Sequence, residues 1–221
     1  MYGHDNLDDF MLIFLTSFGL ENKFYIEAGA NDGILCSNTY LLESKYDWNG
    51  CCVEPVFENY KKLKLNRPKS VCFHGALVSS DYNKDTVRGI FNVDSTSRSN
   101  GLMSGCTEEH LESFPDWICE VPAYTLTDVL LQSNSPKNPD FLSLDVENYE
   151  LEALKGLNFN IFRPRVILLE IGKWYVKEIF DEHFNFMISN GYKFHSTPRG
   201  WNPLSGEQNN VGEINFIFID K

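Results

Sequence analysis

Three carboxylates in this 221-residue chain follow short apolar runs, where an acid can bind the hydroxyl groups of a nucleotide. Glu27, Glu54 and Asp145 each lie at or just after a run rich in aromatic, aliphatic or cysteine residues, which is typical of a buried parallel strand. Ligands of an open α/β sheet bind outside the carboxyl ends of its strands, so we expect the three acids to converge on one crevice. Glu54 is predicted to hold ribose hydroxyls, because it ends the second strand along the chain.

Two glycines, Gly29 and Gly33, follow the first of these strands. Glycine has no side chain, so a cofactor can approach the backbone closely there. Ser37 and Asn38 then offer capping side chains before an apolar-periodic stretch, which predicts a helix whose free N–H groups attract a carboxylate or a phosphate. The spacing lacks the Gly-x-Gly-x-x-Gly of dinucleotide folds, and an ordinary strand-to-helix turn explains two such glycines equally well.

The elements that must position these residues alternate between strands and helices. Such alternation predicts an α/β fold with a mostly parallel sheet. With 43% hydrophobic and 14% aromatic residues the chain can bury a continuous core, and no Pro/Gly/Ser-rich linker divides it. We therefore predict one domain over residues 1–221, with an N-terminal helical extension over 1–22 and a variable loop region over 82–119.

The net charge of −12 argues against a nucleic-acid substrate, because phosphate binding needs clustered Lys and Arg. A mild basic cluster lies on a predicted helix, where a solvated face is expected; it comprises Lys61, Lys62, Lys64, Arg67 and Lys69. No apolar run is long enough to span a membrane, and the run from Phe10 to Phe18 follows acids rather than the basic residues of a secretory signal. With six cysteines interpreted as reduced thiols, these features predict a cytoplasmic protein.

Six segments carry a more specific signal: FYIEAGANDG, SNTYLLE, GCCVEP, VPAYTLTDVL, PDFLSLDVENYELEALKG and RPRVILLEI. In order and spacing, over Lys23 to Ile171, they resemble the FkbM-type S-adenosylmethionine-dependent methyltransferases. The resemblance implies a class I methyltransferase, Rossmann-like fold, with a mostly parallel seven-stranded sheet flanked by helices and an antiparallel strand near the C-terminus. It also implies S-adenosylmethionine as the cofactor and methyl transfer to a hydroxyl, usually on a sugar, a lipid-linked glycan or a polyketide.

Two positions depart from the family's pattern. Asn148 stands where the family usually has glycine, and asparagine tolerates a left-handed backbone better than other residues, so we expect the turn to survive. Ser143 stands where the family usually has lysine, which removes one charge. Neither change affects the predicted cofactor acids.

The resemblance and the strand ends together assign the cofactor-binding residues. Gly29 to Gly33 is expected to pass under the methionine part, and Ser37 with Asn38 to bind its carboxylate. Glu54 is expected to accept hydrogen bonds from both ribose hydroxyls, with apolar residues around adenine. The full set is Glu27, Gly29, Ala30, Asn31, Gly33, Ser37, Asn38, Glu54, Pro55, Val56, Ala76 and Asp145.

The candidate catalytic residues are Asp145, Glu147 and Glu170. Asp145 is expected to act as a base toward an acceptor hydroxyl or to stabilise the sulfonium electrostatically. Glu147 lies two residues further on, so both carboxylates share a face if the strand is regular, and a divalent ion held with Glu170 is an open alternative. Another alternative is that Glu147 caps the next helix. The cysteines and histidines show no zinc-binding spacing, and we assign no metal ligands.

Two other functions compete with methyl transfer to a small-molecule or glycan acceptor. A nicotinamide-dependent oxidoreductase is disfavoured, because the third glycine of the phosphate-binding turn is missing and Asp32 would repel a pyrophosphate. A catalytically silent methyltransferase fold that serves as a binding module stays open, since a fold does not determine a function.

Overall fold

Seven strands form the main sheet of the computed structural model, which describes residues 2–3, 6–20, 22–90, 118–147, 149–171, 177–198 and 214–221. Along the chain they are β1 Phe24–Ala28, β2 Asn49–Glu54, β3 Ser70–His74, β7 Phe141–Leu144, β8 Val166–Ile171, β9 Tyr192–Ser196 and β10 Ile214–Asp220. A smaller sheet contains β4 Ala76–Leu77, β5 Thr86–Ile90 and β6 Ile118–Tyr124.

The order of strands in the main sheet is β3-β2-β1-β7-β8-β10-β9. The pairs β1–β2, β2–β3, β1–β7 and β7–β8 are parallel, whereas β10 is antiparallel to both β8 and β9. Near-continuous apolar sequence in β1, β2, β7 and β8 suits strands that helices cover on both faces. The predicted fold, including the antiparallel strand inserted near the C-terminus, is confirmed.

Six helices are described: α1 Leu7–Ser17, α2 Tyr40–Tyr46, α3 Phe57–Asn66, α4 Leu126–Gln132, α5 Glu150–Lys155 and α6 Lys177–Ser189. One core cluster joins α1 and α3 to one face of the sheet through Met11, Leu15 and Leu63. The other core cluster joins α4, α5 and α6 to the opposite face through Val129, Leu154 and Phe180. Helices therefore cover both faces of the main sheet.

Part of the predicted variable region, residues 91–117, lies outside the described residues, as do Cys106 and Asn148. Within the described part of that region, β5 pairs antiparallel with β6. Among the described residues, no helix combines the length and the apolar character needed to cross a membrane.

Candidate functional site

A polar row crosses the main sheet at the carboxyl edge of its parallel strands. The registers pair Ala28 with both Val53 and Leu144, and Leu144 with Leu169, so the next residue of each strand lies beside its neighbours. His74 and Asn215 extend the row, because they pair with Glu54 and Glu170. Ligands of open α/β sheets bind at this edge. From one side to the other the row contains His74, Glu54, Gly29, Asp145, Glu170 and Asn215.

Gly29 occupies the centre of this row. Its φ of +79° is in the left-handed region, and a β-carbon built there would lie 1.8 Å from the backbone oxygen of Asp145. The N–H groups of Gly29 and Ala30 both donate to the Val53 oxygen at 3.1 Å. Glycine at this position therefore lets the chain turn off the sheet directly against the end of β7.

We expect Gly29→Ala to destabilise the protein by about 1–3 kcal/mol more than Gly19→Ala, which is the range for forcing extra atoms into packed structure. Gly19 is a matched control, because it has a φ of +58° but nothing within 4 Å of a built β-carbon. Both variants place alanine at a left-handed backbone position, and only Gly29→Ala adds the clash with backbone. Urea unfolding of the two variants measures the difference; equal losses would contradict the close packing at Gly29.

The turn after Gly29 is organised by backbone groups and one aspartate. Asn31 has a φ of +50°, and Gly33, with a φ of +84°, donates its N–H to the Ala30 oxygen at 2.9 Å. Asp32 Oδ1 accepts hydrogen bonds from the N–H groups of Ile34 at 2.9 Å and Leu35 at 2.8 Å. These hydrogen bonds fix the turn beside the polar row, although the turn contains no helix or strand.

Glu54 is buried at the edge of the sheet, with 4% of its surface exposed. Its carboxylate accepts the N–H of Val56 and the N–H of Asn31, each at 2.8 Å. Burial raises the pKa of Glu54 from 4.5 to about 7; the two N–H groups oppose this shift, and the nearby charge of Asp32 adds to it. The two N–H donors therefore do not offset the cost of burying the charged carboxylate. Additional hydrogen-bond donors would stabilise its charged form.

This raised pKa also links Glu54 to stability. Between pH 4.5 and about pH 7 the folded protein holds a proton that the unfolded chain has lost, so the contribution of Glu54 to stability falls as the pH rises. The slope is at most about 1.4 kcal/mol per pH unit.

The residues predicted to surround adenine lie next to Glu54. Val56 and Ala76 are 3% and 6% exposed and belong to a small apolar cluster with Val87 and Val121. The His74 ring nitrogen Nε2 is 3.1 Å from the Pro55 oxygen. The structure therefore brings Pro55, Val56 and Ala76 together on the β2 side of the polar row.

The structure corrects the prediction that Glu27 converges with Glu54 and Asp145. Glu27 lies two residues before Gly29, and its carboxylate turns into the protein interior instead of joining Glu54 and Asp145. It accepts hydrogen bonds from the Ser37 hydroxyl at 2.8 Å, the Asn38 N–H at 2.7 Å and the Thr39 hydroxyl at 2.7 Å. The Ser37 hydroxyl in turn accepts the Tyr40 N–H at 2.9 Å, but the N-cap of α2 is Thr39, whose side chain makes no capping hydrogen bond.

Arg67, predicted to lie on a solvated face, is buried beside Glu27 with 1% exposure. Its Nη1 donates to Glu27 at 3.0 Å and to the Gly33 oxygen at 3.1 Å, and its Nε donates to Glu43 at 2.8 Å. Burial acts to raise the pKa of Glu43, but hydrogen bonds from Ser70, Tyr25 and Arg67 hold it below its ordinary value. This buried cluster fixes the turn that carries Gly33. The sequence signal for this cluster is an arginine just after the last turn of a helix.

Asp145, Glu147 and Glu170 all lie near the polar row, but not on one regular strand. β7 ends at Leu144, and Glu147 has a φ of +56°, so the prediction that Asp145 and Glu147 share a strand face is wrong. Glu170 accepts a hydrogen bond from Asn215 at 3.2 Å. The N-cap of α5 is Tyr149, which makes no side-chain capping bond, and Glu150 accepts the Val146 N–H at 3.0 Å. Over the described ranges, no group of three His, Cys, Asp or Glu side chains is arranged to hold a metal ion.

Comparison with known families gives one match, to the sequence model of the methyltransferase FkbM domain over residues 27–194. No curated protein matches the sequence.

Several solved structures have a similar fold. A TehB-like SAM-dependent methyltransferase from Corynebacterium glutamicum has a TM-score of 0.51 and 10% identity, covering 99% of this chain and 90% of that one. The plantazolicin methyltransferase BamL, in complex with SAH, has a TM-score of 0.51 and 8% identity, covering 97% and 85%. Human methyltransferase 10 domain containing protein has a TM-score of 0.50 and 10% identity, covering 97% and 81%. These likenesses show the class I methyltransferase fold.

Proposed function

The chain belongs to the FkbM methyltransferase family, and on that premise we propose that it transfers a methyl group from S-adenosylmethionine to a hydroxyl of a sugar, a glycan or a related natural product. Glu54 is the observation that supports this proposal best. A buried carboxylate with a raised pKa ends β2 beside a glycine turn, and the two ribose hydroxyls would supply the donors that it lacks.

The surrounding residues suit the other parts of the cofactor. The backbone of the turn from Gly29 to Gly33 lies close to the polar row, where the methionine part of the cofactor would bind. Val56 and Ala76 offer apolar surface for adenine, with Pro55 next to them. Glu27 would act indirectly, because it holds the segment that follows the turn rather than facing the row.

S-adenosylmethionine supplies a methyl group already activated by its sulfonium. An acceptor oxygen held in line would form the new bond to the methyl carbon, while the S–C bond breaks and its electron pair stays on sulfur. Asp145, at the centre of the polar row, would take the proton that the acceptor hydroxyl releases. Glu147 and Glu170 would orient the acceptor at the same edge of the sheet.

Calorimetric titration with S-adenosylmethionine and S-adenosylhomocysteine tests the cofactor assignment. We expect Glu54→Ala to weaken binding about 10- to 100-fold, since hydrogen bonds to a charged group are worth about 1.5–3 kcal/mol. Glu58→Ala is the matched control, because this half-exposed acid in the first turn of α3 pairs with Lys61 at 2.6 Å. Equal affinity of the wild type and Glu54→Ala would remove Glu54 from the cofactor site. No binding of either compound by the wild type would favour the binding-module alternative.

The pH profile of the same titration gives a second result. If ribose hydroxyls bind the ionised carboxylate, affinity rises with pH by up to about tenfold per unit below pH 7 and levels off above it. Glu54→Gln has no such charge to gain, so its profile should be flat. A wild-type affinity that does not change between pH 5.5 and 8 would contradict this role.

The acceptor class is tested by turnover. Release of S-adenosylhomocysteine is measured with a panel of hydroxyl-bearing sugars and glycolipids and with amine-bearing analogues of the same compounds. The proposal requires turnover with hydroxyl acceptors and a methyl ether as the product. Turnover with the amines alone would refute O-methylation while leaving the cofactor assignment intact.

A further inference from the structure

The outward side of α3 is both apolar and basic. The helix buries Asn59 and Leu63, and Leu63 packs in the core cluster on this face of the sheet. On its other side, Phe57, Lys61 and Leu65 follow one another at intervals of four residues, so their side chains form one ridge along the helix. Phe57 is 54% exposed and Leu65 is 82% exposed. Two large apolar side chains are therefore held in solvent on the same ridge.

Lysines flank this ridge. Lys61 Nζ lies 5.2 Å from the centre of the Phe57 ring, and Lys64 Nζ lies 5.7 Å from the centre of the Tyr60 ring. Lys62 is exposed as well. Lysine methylenes can lie along apolar surface while the ammonium group stays in water. Ammonium groups and apolar side chains thus share one surface. We call it the α3 face; it comprises Phe57, Lys61, Lys62, Lys64 and Leu65.

The α3 face is positive although the whole chain carries a net charge of −12. Its three lysines are opposed within α3 by one acid, Glu58, which pairs with Lys61 at 2.6 Å. Lys62 and Lys64 therefore give the helix an excess of positive charge on this side. At physiological ionic strength, charges farther apart than about 8 Å are largely screened. The charge of the α3 face therefore matters more than the net charge for a partner in direct contact with it.

The α3 face also adjoins the polar row. α3 begins at Phe57, three residues after Glu54. The Phe57 ring lies 5.1 Å from the ring of His74, which is the outermost member of the row on this side. A partner bound on the α3 face therefore lies next to the end of the row that contains Glu54.

We propose that the α3 face binds the surface of an anionic lipid membrane. Phe57 and Leu65 enter the headgroup region, and the lysines contact lipid phosphates. A membrane interface stabilises both kinds of side chain, because it combines apolar depth with negative surface charge. A soluble polyanion would contact the lysines but leave Phe57 and Leu65 in water. This contact does not depend on the proposed reaction.

Co-sedimentation of the full chain with lipid vesicles tests the proposal. We expect binding to phosphatidylcholine vesicles that contain phosphatidylserine, and much weaker binding to phosphatidylcholine alone. The double variant Lys62→Gln with Lys64→Gln should bind about 25-fold more weakly, since each lysine near an anionic surface contributes a factor of about five. Lys137→Gln with Lys193→Gln is the matched control, because it removes the same charge at exposed lysines outside α3. No binding to the anionic vesicles, or equal losses in the two double variants, would overturn the proposal.

A second variant separates a membrane from a soluble polyanion. Leu65→Ser should weaken vesicle binding about tenfold, because it removes an inserted apolar side chain. It should leave binding to heparin, a soluble polyanion, unchanged. Ile13→Ser, at a residue of α1 that is 71% exposed, is the control and should change neither. If Leu65→Ser binds the vesicles as tightly as the wild type does, the lysines alone act on a polyanion and the membrane proposal is wrong.

Discussion

Replacing Arg67 with alanine is expected to lower the free energy of unfolding by about 3–5 kcal/mol, because the change leaves buried carboxylates without their partner. The guanidinium is 1% exposed and holds Glu27 at 3.0 Å and Glu43 at 2.8 Å. It also donates to the Thr39 hydroxyl at 2.6 Å and to the Gly33 oxygen at 3.1 Å. The loss of stability should therefore be accompanied by weaker cofactor binding, since Gly33 belongs to the proposed cofactor turn.

Urea unfolding of Arg67→Ala, with Arg163→Ala as a control, separates the effect of burial on stability from the effect of charge pairing alone. Arg163 forms an ion pair with Asp220, but it is 33% exposed, so its removal should cost about 1 kcal/mol or less. A triple variant, Arg67→Met with Glu27→Gln and Glu43→Gln, should recover part of the loss, because it leaves no charge unpaired. If Arg67→Ala costs no more than Arg163→Ala, the buried cluster does not stabilise the fold as described.

Asp145→Asn is expected to reduce turnover by about 100- to 10,000-fold, the usual contribution of a general base. Asparagine has nearly the same shape and keeps the backbone, including the Asp145 N–H that donates to Ala28 at 3.2 Å and the oxygen that packs on Gly29. Affinity for S-adenosylmethionine should stay within about threefold of the wild type, a change of less than 1 kcal/mol. Only the transfer of the acceptor proton is then affected.

Initial rates of S-adenosylhomocysteine release over pH 5–9 test this role. With S-adenosylmethionine kept saturating at every pH, so that the ionisation of Glu54 does not affect the rate, the wild-type rate should rise through one ionisation on the acidic side, and Asp145→Asn should lose that step. Glu147→Gln and Glu170→Gln are the comparison variants at the same edge of the sheet, and they should raise KM for the acceptor more than they lower kcat. A loss of turnover in Asp145→Asn that is matched by a loss of cofactor affinity would make Asp145 a binding residue instead.

The predicted positions of Gly29 and Glu54 agree with the structure, whereas the predicted position of Glu27 does not. The difference has a physical reason. Gly29 and Glu54 were predicted to lie at the site because strand ends in a parallel sheet share one edge, and the registers place both in the polar row. The same rule predicts Glu27 at that edge. Its carboxylate faces inward because an interior arginine is available to it, and no local pattern in the sequence reveals a partner 40 residues away.

Sequence alone determined the alternation of elements, the parallel strands and the place of the glycine turn, because these depend on local apolar patterning and on backbone freedom at particular residues. It also determined the family, through short segments whose order and spacing resemble those of the FkbM methyltransferases. The direction of each polar side chain was decided only by tertiary structure. Arg67, Glu27 and Glu43 are distant along the chain, and burial makes their charges depend on one another.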